Sequence, residues 1–283
     1  MTAPPTVSPD LAMMSLTDGT PSTPNWRADH RPTTVLAGLE GNRLSVLVIS
    51  ADRWSSARIY VTVSIMRKYV LMGAQGSGKG TQAAILARDF DMTQISVGDI
   101  FRWHVQNHTK LGAQVRRIMA VGELVGDDLV EKVVHARLDE HDWNYGFVID
   151  GFPRNQPQAM FFLERYDIDA VIHLDLPDEE VRRRVLARRL CSNCRLDYNL
   201  MAHRPEVEGR CDVCGGELVQ REDDTEEALA TRLKDYHEKT DPVLDLFRRK
   251  EFVVTVDARP NIAAVQNAIR SELNLPPYKP SAA

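Results

Sequence analysis

Gly73-Ala-Gln-Gly-Ser-Gly-Lys79-Gly-Thr81 is the stretch of sequence that decides the fold. It follows the apolar run Tyr69-Val-Leu-Met72 and precedes Ala83-Ala-Ile-Leu-Ala87, which predicts a strand, a glycine-rich loop and the start of a helix. Glycines let successive backbone N–H groups turn towards one anion, and the helix N-terminus adds partial positive charge. Lys79 can reach the outer phosphates of a nucleoside triphosphate. The complete spacing therefore predicts a triphosphate-binding loop.

Strand and helix patterns alternate from Met66 onward. Apolar runs bounded by turn residues predict strands at 67–72, 94–96, 146–150, 170–176 and 252–257. Helical patterns are predicted at 78–88, 98–106, 111–121, 127–141, 155–165, 178–189, 225–249 and 260–273. Such alternation is typical of a parallel sheet covered by helices on both faces. Ligands of these sheets bind beyond the carboxyl ends of the strands, where we expect the glycine loop and Asp150-Gly151.

Composition and charge narrow the class of protein. The 283 residues are 43 % hydrophobic and 27 % charged, which is enough for a sizeable core. No apolar run is long enough to span a bilayer and no secretory signal pattern is evident, so we expect a cytoplasmic protein without membrane partners. Nothing in the sequence demands an oligomer, and we expect a monomer. A formal net charge of −5 argues against general nucleic-acid binding, so clustered arginines must bind any phosphates.

Both ends of the chain differ from the region between them. Residues 1–65 are predicted to be a disordered extension, since Met1 to Pro32 is rich in Pro, Thr, Ser and Ala without periodicity. Leu44-Ser-Val-Leu-Val-Ile49 predicts a lone strand with no evident partner. Because Met66 directly precedes the loop strand, one hypothesis is that the functional protein begins there. Residues 276–283 are predicted to be a flexible tail.

The four cysteines form a metal-ligand pattern. Cys191-x2-Cys194 and Cys211-x2-Cys214 are separated by sixteen residues, and two knuckles of this kind supply four thiolates for tetrahedral zinc. Residues 190–221 are too few and too polar to bury a core of their own, so we expect the metal to provide their stability. With four thiolates and no open position, this zinc is predicted to be structural, although the pattern leaves iron open.

Arginines surround the cysteine segment. Arg182, Arg183, Arg184, Arg188 and Arg189 lie in the helix predicted at 178–189, where the i, i+4 spacing places Arg184 and Arg188 on one face. An arginine-rich helix by itself is usually a solvated surface. Arg221 and Arg232 follow the cysteine segment, and together with the triphosphate loop they favour an anion-binding site instead.

The chain resembles the adenylate kinase family over residues 66–275. The resemblance is carried by the glycine loop, Ile95-Ser-Val-Gly-Asp-Ile-Phe-Arg102, Asp150-Gly-Phe-Pro-Arg-Asn-Gln-Pro-Gln158, Arg188-Arg189 and Arg221-Glu-Asp-Asp224. The four-cysteine segment is similar to that of the zinc-containing long forms. The resemblance implies a P-loop NTPase-like three-layer α/β fold with a five-stranded parallel sheet. It also implies a core at 66–95, 127–189 and 222–275, an inserted helical NMP-binding segment at 96–126, and a zinc lid at 190–221.

The implied reaction is ATP + AMP = 2 ADP with Mg²⁺, in nucleotide homeostasis, and the implied partners are ATP, AMP and ADP. The catalytic residues would be Lys79, Arg188, Arg221 and Arg232. The ATP-binding residues would be Gly76, Ser77, Gly78, Lys79, Gly80, Thr81, Arg184 and Arg188. The AMP-binding residues would be Val97, Arg102, Gly151, Arg154, Gln158, Arg221 and Arg232. Asp150 and Asp99 would position Mg²⁺ through its waters, while Cys191, Cys194, Cys211 and Cys214 bind zinc. Arg67 and Asp89 receive no role and are predicted to be surface charges.

One departure from the family bears on the acceptor. Val97 stands where many adenylate kinases carry threonine, which removes one possible hydrogen bond to the acceptor base. A kinase for UMP or CMP therefore remains an alternative. A second alternative is a zinc-ribbon protein that binds nucleic acid and uses the loop as an ATP switch. The few aromatic residues within 191–214 count against it, because single-strand binders need stacking platforms.

Overall fold

The computed structural model describes residues 34–40, 43–49 and 58–64 as paired strands and residues 67–141, 146–201 and 204–280 in full. The chain divides into two units, Met1–Met66 and Arg67–Ala283. The first contains β1 (Thr34–Glu40), β2 (Arg43–Ile49) and β3 (Arg58–Ser64), an antiparallel sheet with β2 in the centre. The prediction of a lone strand at Leu44–Ile49 is therefore wrong, because β2 pairs along both edges. The predicted disorder of Met1 to Pro32 lies outside the described residues.

The second unit is built on a five-stranded parallel sheet, which confirms the predicted fold class. Its strands are β4 (Lys68–Met72), β5 (Thr93–Ser96), β6 (Phe147–Asp150), β7 (Ala170–Asp175) and β11 (Val253–Asp257), in the order β11-β7-β4-β6-β5. Successive side chains of a strand point to opposite faces. Tyr69 and Leu71 accordingly join one hydrophobic cluster, and Val70 and Met72 join another.

Helices cover both faces of this sheet. They are α1 (Lys79–Asp89), α2 (Val97–Gln106), α3 (Lys110–Ala120), α4 (Asp127–Asp139), α5 (Gln156–Arg165), α6 (Asp178–Leu186), α7 (Glu226–Asp235), α8 (Asp241–Lys250) and α9 (Ile262–Glu272). Buried residues of α1, α6, α7 and α9 belong to the cluster of Leu71, and those of α2–α5 and α8 to the cluster of Val70. The result is the expected three-layer arrangement. Within the described residues, no helix combines the length and the apolar character required to cross a bilayer.

Two predicted helices are different in the structure. The helix predicted at 178–189 ends at Leu186, and residues Arg188–Cys191 instead form β8, which pairs with β9 (Asp197–Asn199) and β10 (Leu218–Val219). The helix predicted at 225–249 is interrupted by a π-helical turn at Tyr236–Thr240. Pro242 follows that turn and has no N–H to donate to a regular helical ladder.

Arg67 and Asp89 were predicted to be surface charges, which is wrong for Arg67, whereas Asp89 is partly exposed. Arg67 is 7 % exposed, and its guanidinium carbon Cζ lies 4.9 Å from the centre of the Phe90 ring. Asp89 accepts a hydrogen bond from Arg270, whose guanidinium contacts both Phe90 and Tyr278. Aromatic faces allow arginine stems and guanidinium groups to be buried at low cost. Tyr278 belongs to the predicted flexible tail, yet its N–H donates to Asn267 Oδ1 at 2.8 Å.

Candidate active site

The glycine loop joins β4 to α1 and is packed tightly against its neighbours. A Cβ atom on Gly73, where φ is +141°, would lie 2.5 Å from the Leu174 carbonyl oxygen of β7. A Cβ atom on Gly76 would lie 2.8 Å from Val185 Cγ2 of α6. The predicted phosphate-binding residues Gly76, Ser77, Gly78, Lys79, Gly80 and Thr81 thus lie along the loop and the first turn of α1. Glycine is required here by close approach as well as by backbone conformation.

Lys79 and Arg154 are partly buried cations at the carboxyl ends of neighbouring strands. Lys79 Nζ donates to the carbonyl oxygens of Gly73 and Ala74 at 2.9 and 2.8 Å, and Arg154 Nε donates to Gly151 O at 2.9 Å. Burial lowers the pKa of Lys79 to about 8, assisted by the charges of Arg154 and Arg188 against that of Asp150. Burial and the charge of Arg232 lower the pKa of Arg154 to about 10. Positive charge confined in this way favours a bound anion.

Asp150, the last residue of β6, fits a role beside a divalent cation. Burial raises its pKa, against the charges of Lys79 and Arg154. Its Oδ1 atom is buried and has no hydrogen-bond partner among the described residues. A Cβ atom on Gly80 would lie only 3.6 Å from Asp150 Oδ2, so glycine keeps the space in front of the carboxylate open. Carboxylate oxygen is the ligand type that Mg²⁺ prefers, directly or through water.

Asp99 and Arg102, both on α2, are paired with each other. Arg102 Nη2 lies 2.6 Å from Asp99 Oδ1. Burial raises the pKa of Asp99, but the charge and hydrogen bonds of Arg102 outweigh it and hold the pKa below its usual value. The charge of Arg102 also acts on Arg154 and Arg221, so the predicted acceptor-phosphate residues are near one another.

Three further arginines face carboxylates that sequence reasoning missed. Arg188 Nε donates to the fully buried Asp224 at 2.8 Å, and Arg188 Nη2 hydrogen-bonds the same carboxylate. Arg232 pairs with Asp223 at 2.7 Å, and Arg221 pairs with Asp197 at 2.8 Å. Burial lowers the pKa of Arg221, as do the charges of Arg188 and Arg102. Asp223 and Asp224 belong to the motif Arg221-Glu-Asp-Asp224, but only their ion pairs with Arg232 and Arg188 show what they contact.

Gln158 is held in one orientation on the predicted acceptor side. Its Oε1 accepts from the Arg154 backbone N–H at 2.8 Å, and its Nε2 donates to Asp127 Oδ1 at 2.7 Å. Asn155 Nδ2 donates to the same Asp127 oxygen at 2.7 Å. Asp127, which sequence reasoning missed, also lines a cavity of about 430 Å³ with Gln114, Val115, Ile118, Val125, Gly126, Asp128 and Leu129. Val97 lies outside this lining and is buried in the core.

Arg184 and Arg188 do not share a helix face, because Arg188 lies in β8. This corrects the predicted i, i+4 pairing. Arg184 is in the last turn of α6, and its Nη2 donates to the Arg259 carbonyl oxygen at 3.0 Å. A Cβ atom on Gly76 would lie 3.7 Å from Arg184 Cβ, so Arg184 remains beside the glycine loop.

The four cysteines converge as a metal site requires. Their Sγ atoms all lie within 4.8 Å of one another, and all four thiols are free. Zinc with four sulfurs at about 2.3 Å would place neighbouring sulfurs about 3.8 Å apart. Gly216 leaves space for the cluster, since a Cβ atom there would lie 2.8 Å from Cys191 Sγ. The Tyr198 hydroxyl donates to Cys211 Sγ at 3.5 Å and accepts from Asp212 N at 2.8 Å. The donor set and its support fit tetrahedral zinc.

The family model and the similar proteins that match this chain all carry the same description. The family model described as adenylate kinase matches residues 71–252. An adenylate kinase of Caldicellulosiruptor bescii is 40 % identical over 213 residues, covering 74 % of this chain and 99 % of that protein. One of Streptomyces griseus is 42 % identical over 204 residues, 70 % of this chain and 93 % of that protein. One of Methanothrix thermoacetophila is 39 % identical over 210 residues, with coverages of 72 % and 97 %.

Proposed function

The chain belongs to the adenylate kinase family, and we propose on that basis that its site catalyses ATP + AMP = 2 ADP. The resemblance stated from the sequence is confirmed, as is its class, a nucleoside monophosphate kinase that transfers phosphoryl groups. The observation that carries the proposed site is a pair of partly buried cations, Lys79 and Arg154, which donate to backbone carbonyls and have lowered pKa values. A phosphate chain lying between them would relieve that electrostatic cost.

Phosphoryl transfer needs positioning and charge neutralisation more than proton transfer. The acceptor phosphate is already an anionic nucleophile, so no general base is required. Lys79 and the loop N–H groups would bind the β- and γ-phosphates of the donor, and Arg102 and Arg154 the acceptor phosphate. Arg188, Arg221 and Arg232 would surround the transferring group. Their planar guanidinium groups suit its equatorial oxygens, and the paired aspartates would hold the guanidinium planes in place.

The fixed Gln158 amide supports a choice of acceptor base. With one Nε2 hydrogen committed to Asp127, Gln158 retains one hydrogen and one Oε1 lone pair. Adenine presents a matching acceptor at N1 and donor at N6, whereas uracil presents the opposite pattern. Cytosine shares the adenine pattern but is smaller. We therefore favour AMP, with Gly151 and Val97 near the acceptor side, and Arg184 beside the donor base.

Two metals would complete the enzyme. Mg²⁺ bound with ATP would neutralise phosphate charge, and Asp150 and Asp99 would position it through water. Cys191, Cys194, Cys211 and Cys214 would hold structural Zn²⁺, which stiffens residues 190–221 so that they move as one lid. Closure of that lid over both nucleotides would exclude water, the competing acceptor.

A coupled assay of ADP formation from ATP with AMP, UMP or CMP tests the proposal. AMP should be the fastest acceptor, and Lys79→Met should abolish the activity while circular dichroism and thermal unfolding show a folded protein. Faster phosphorylation of UMP or CMP would overturn the choice of acceptor.

A further inference from the structure

Gln75 lies within the glycine loop and uses both ends of its side-chain amide. Its Nε2 donates to Asp224 Oδ1 at 2.9 Å, and its Oε1 accepts from Arg232 Nη1 at 2.8 Å. These partners are 149 and 157 residues away along the chain. The sequence motif of the loop assigns no role to this position.

Through its two partners, Gln75 is connected to two arginines proposed to contact the transferring phosphoryl group: Arg232 is itself a partner, and Arg188 hydrogen-bonds the other partner, Asp224. Asp224 is fully buried and accepts from Arg188 Nε at 2.8 Å. Arg232 is the second partner of Gln75, and its Nη2 also donates to Asp223 Oδ2 at 2.7 Å and to Met119 O at 3.2 Å. One neutral amide thus joins the glycine loop, β8 and α7.

We propose that Gln75 is a positioning residue for phosphoryl transfer, orienting Arg188 through Asp224 and Arg232 directly. The inference rests on the proposed function. An amide suits the position because it donates to a carboxylate and accepts from a guanidinium at the same time. A carboxylate can only accept, and an ammonium can only donate. Displacing a catalytic group by about 1 Å can lower the reaction rate on the order of 100-fold, so the orientation of Arg188 and Arg232 matters.

A purely structural role for Gln75 makes a different prediction. If the amide only shaped the glycine loop, its removal would weaken ATP binding or lower the thermal midpoint. If it orients arginines that act on the transition state, its removal lowers kcat while the KM values for ATP and AMP are retained. The two roles are therefore separable by steady-state kinetics.

Gln75→Met removes both hydrogen bonds and keeps the side-chain volume. We expect kcat to fall about 10- to 100-fold, with both KM values within about twofold of wild type. Glu272→Met is the control, since Glu272 is exposed at the end of α9 and has no role in the proposed site, and it should leave kcat and KM unchanged.

Gln75→Glu supplies a pH signature that a structural defect would not. The charged groups around position 75 are Asp224, Asp223, Arg188 and Arg232. An ionised glutamate at this position would repel Asp224, whereas the protonated form can donate to Asp224 and accept from Arg232 as the amide does. The kcat of Gln75→Glu relative to wild type should therefore rise as the pH falls from about 9 to about 5.5, while the ratio for Gln75→Met stays flat.

The outcomes are distinct. A kcat for Gln75→Met within twofold of wild type overturns the inference, as does a loss confined to the KM for ATP. Equal, pH-independent ratios for the Met and Glu variants overturn it as well. If the wild-type protein forms no ADP from ATP and AMP, the proposed function itself has failed, irrespective of Gln75.

Discussion

At the residue scale, the proposed site gathers cations whose charge is electrostatically unfavourable without a bound anion. The pKa of Lys79 is lowered to about 8 by burial and by the charges of Arg154 and Arg188. An unfolded lysine keeps a pKa near 10.4. The unfolded chain therefore binds more protons between about pH 8 and about pH 10.4, and the stability of the unligated protein rises with pH across that window.

Nucleotide binding should consequently be coupled to proton uptake by Lys79. Polyphosphate beside the ammonium restores a high pKa, so binding at about pH 8.5 should take up about 0.7 proton, and about 0.1 at pH 7. Calorimetric titration with a bisubstrate mimic in buffers of different ionisation enthalpy measures this uptake. Lys79→Arg is the control, because arginine stays charged and the uptake at the higher pH should vanish. Equal uptake by both proteins would contradict the assignment to Lys79.

The orientation of Gln158 should depend on Asp127. Asp127→Ala removes one of the two hydrogen bonds that fix the amide and leaves only the Arg154 N–H bond to Oε1, so turning the amide to match uracil becomes less costly. A lost hydrogen bond of about 0.5–1.5 kcal/mol corresponds to a shift of up to about tenfold in the AMP-to-UMP ratio of kcat/KM. Asp128→Ala is the matched control, since both aspartates lie in the first turn of α4 and only Asp127 contacts Gln158. Identical selectivity in the two variants would rule out this role.

From the sequence, Lys79, Arg154 and the other arginines could be proposed for the site, because they stand in motifs of the family that the chain resembles. Gln75, Asp127 and Asp224 could not be proposed, because their hydrogen bonds join segments that are distant along the chain. The Gln75–Asp224 hydrogen bond, for example, spans 149 residues. Arg67 was missed for the same reason, since only packing against Phe90 shows that a charged residue is buried.

At the scale of elements, the local sequence pattern predicted the strands of the parallel sheet correctly. It predicted a helix at the start of the cysteine segment, where the structure has the strand β8. The strands of the parallel sheet have apolar runs bounded by turn residues, and the structure ends them within about two residues of the predicted positions. Arg188-Arg189-Leu190 continues a helical pattern, yet it forms the central strand of the β10-β8-β9 sheet. That strand forms because β9 and β10 pair with it. Pairing with segments elsewhere in the chain cannot be read from the local propensity of residues 188–190.

The proposed zinc lid at residues 190–221 should be destabilised when one thiolate is removed. Cys194→Ser should lower zinc content and the thermal midpoint, because a serine hydroxyl does not ionise to replace the thiolate. Ser192→Ala, in the same knuckle and exposed, is the control and should retain both. Metal analysis and thermal unfolding make the measurement. Binding of ATP to the glycine loop should persist in both variants, and undiminished zinc in Cys194→Ser would remove the metal assignment.

At the scale of the whole molecule, the parallel sheet and the proposed site belong to one unit. All five strands of the sheet lie after Met66, with one hydrophobic cluster on each face. The family model matches residues 71–252, and the Caldicellulosiruptor bescii relative is covered over 99 % of its length by 74 % of this chain. Residues 1–66 form a separate unit with the β1-β2-β3 sheet.

Catalysis should therefore be independent of the first unit. A protein consisting of residues 66–283 should keep kcat and both KM values within about twofold of the full chain, because each residue proposed to contact nucleotide lies in the second unit. Its main thermal transition should also stay within a few degrees, since the clusters on both faces of the sheet are retained. Parallel assays and calorimetry of the two proteins make the comparison. A large loss of activity with an unchanged thermal midpoint would show that the β1-β2-β3 unit contributes to the site, whereas a large fall in the midpoint would show that it stabilises the sheet.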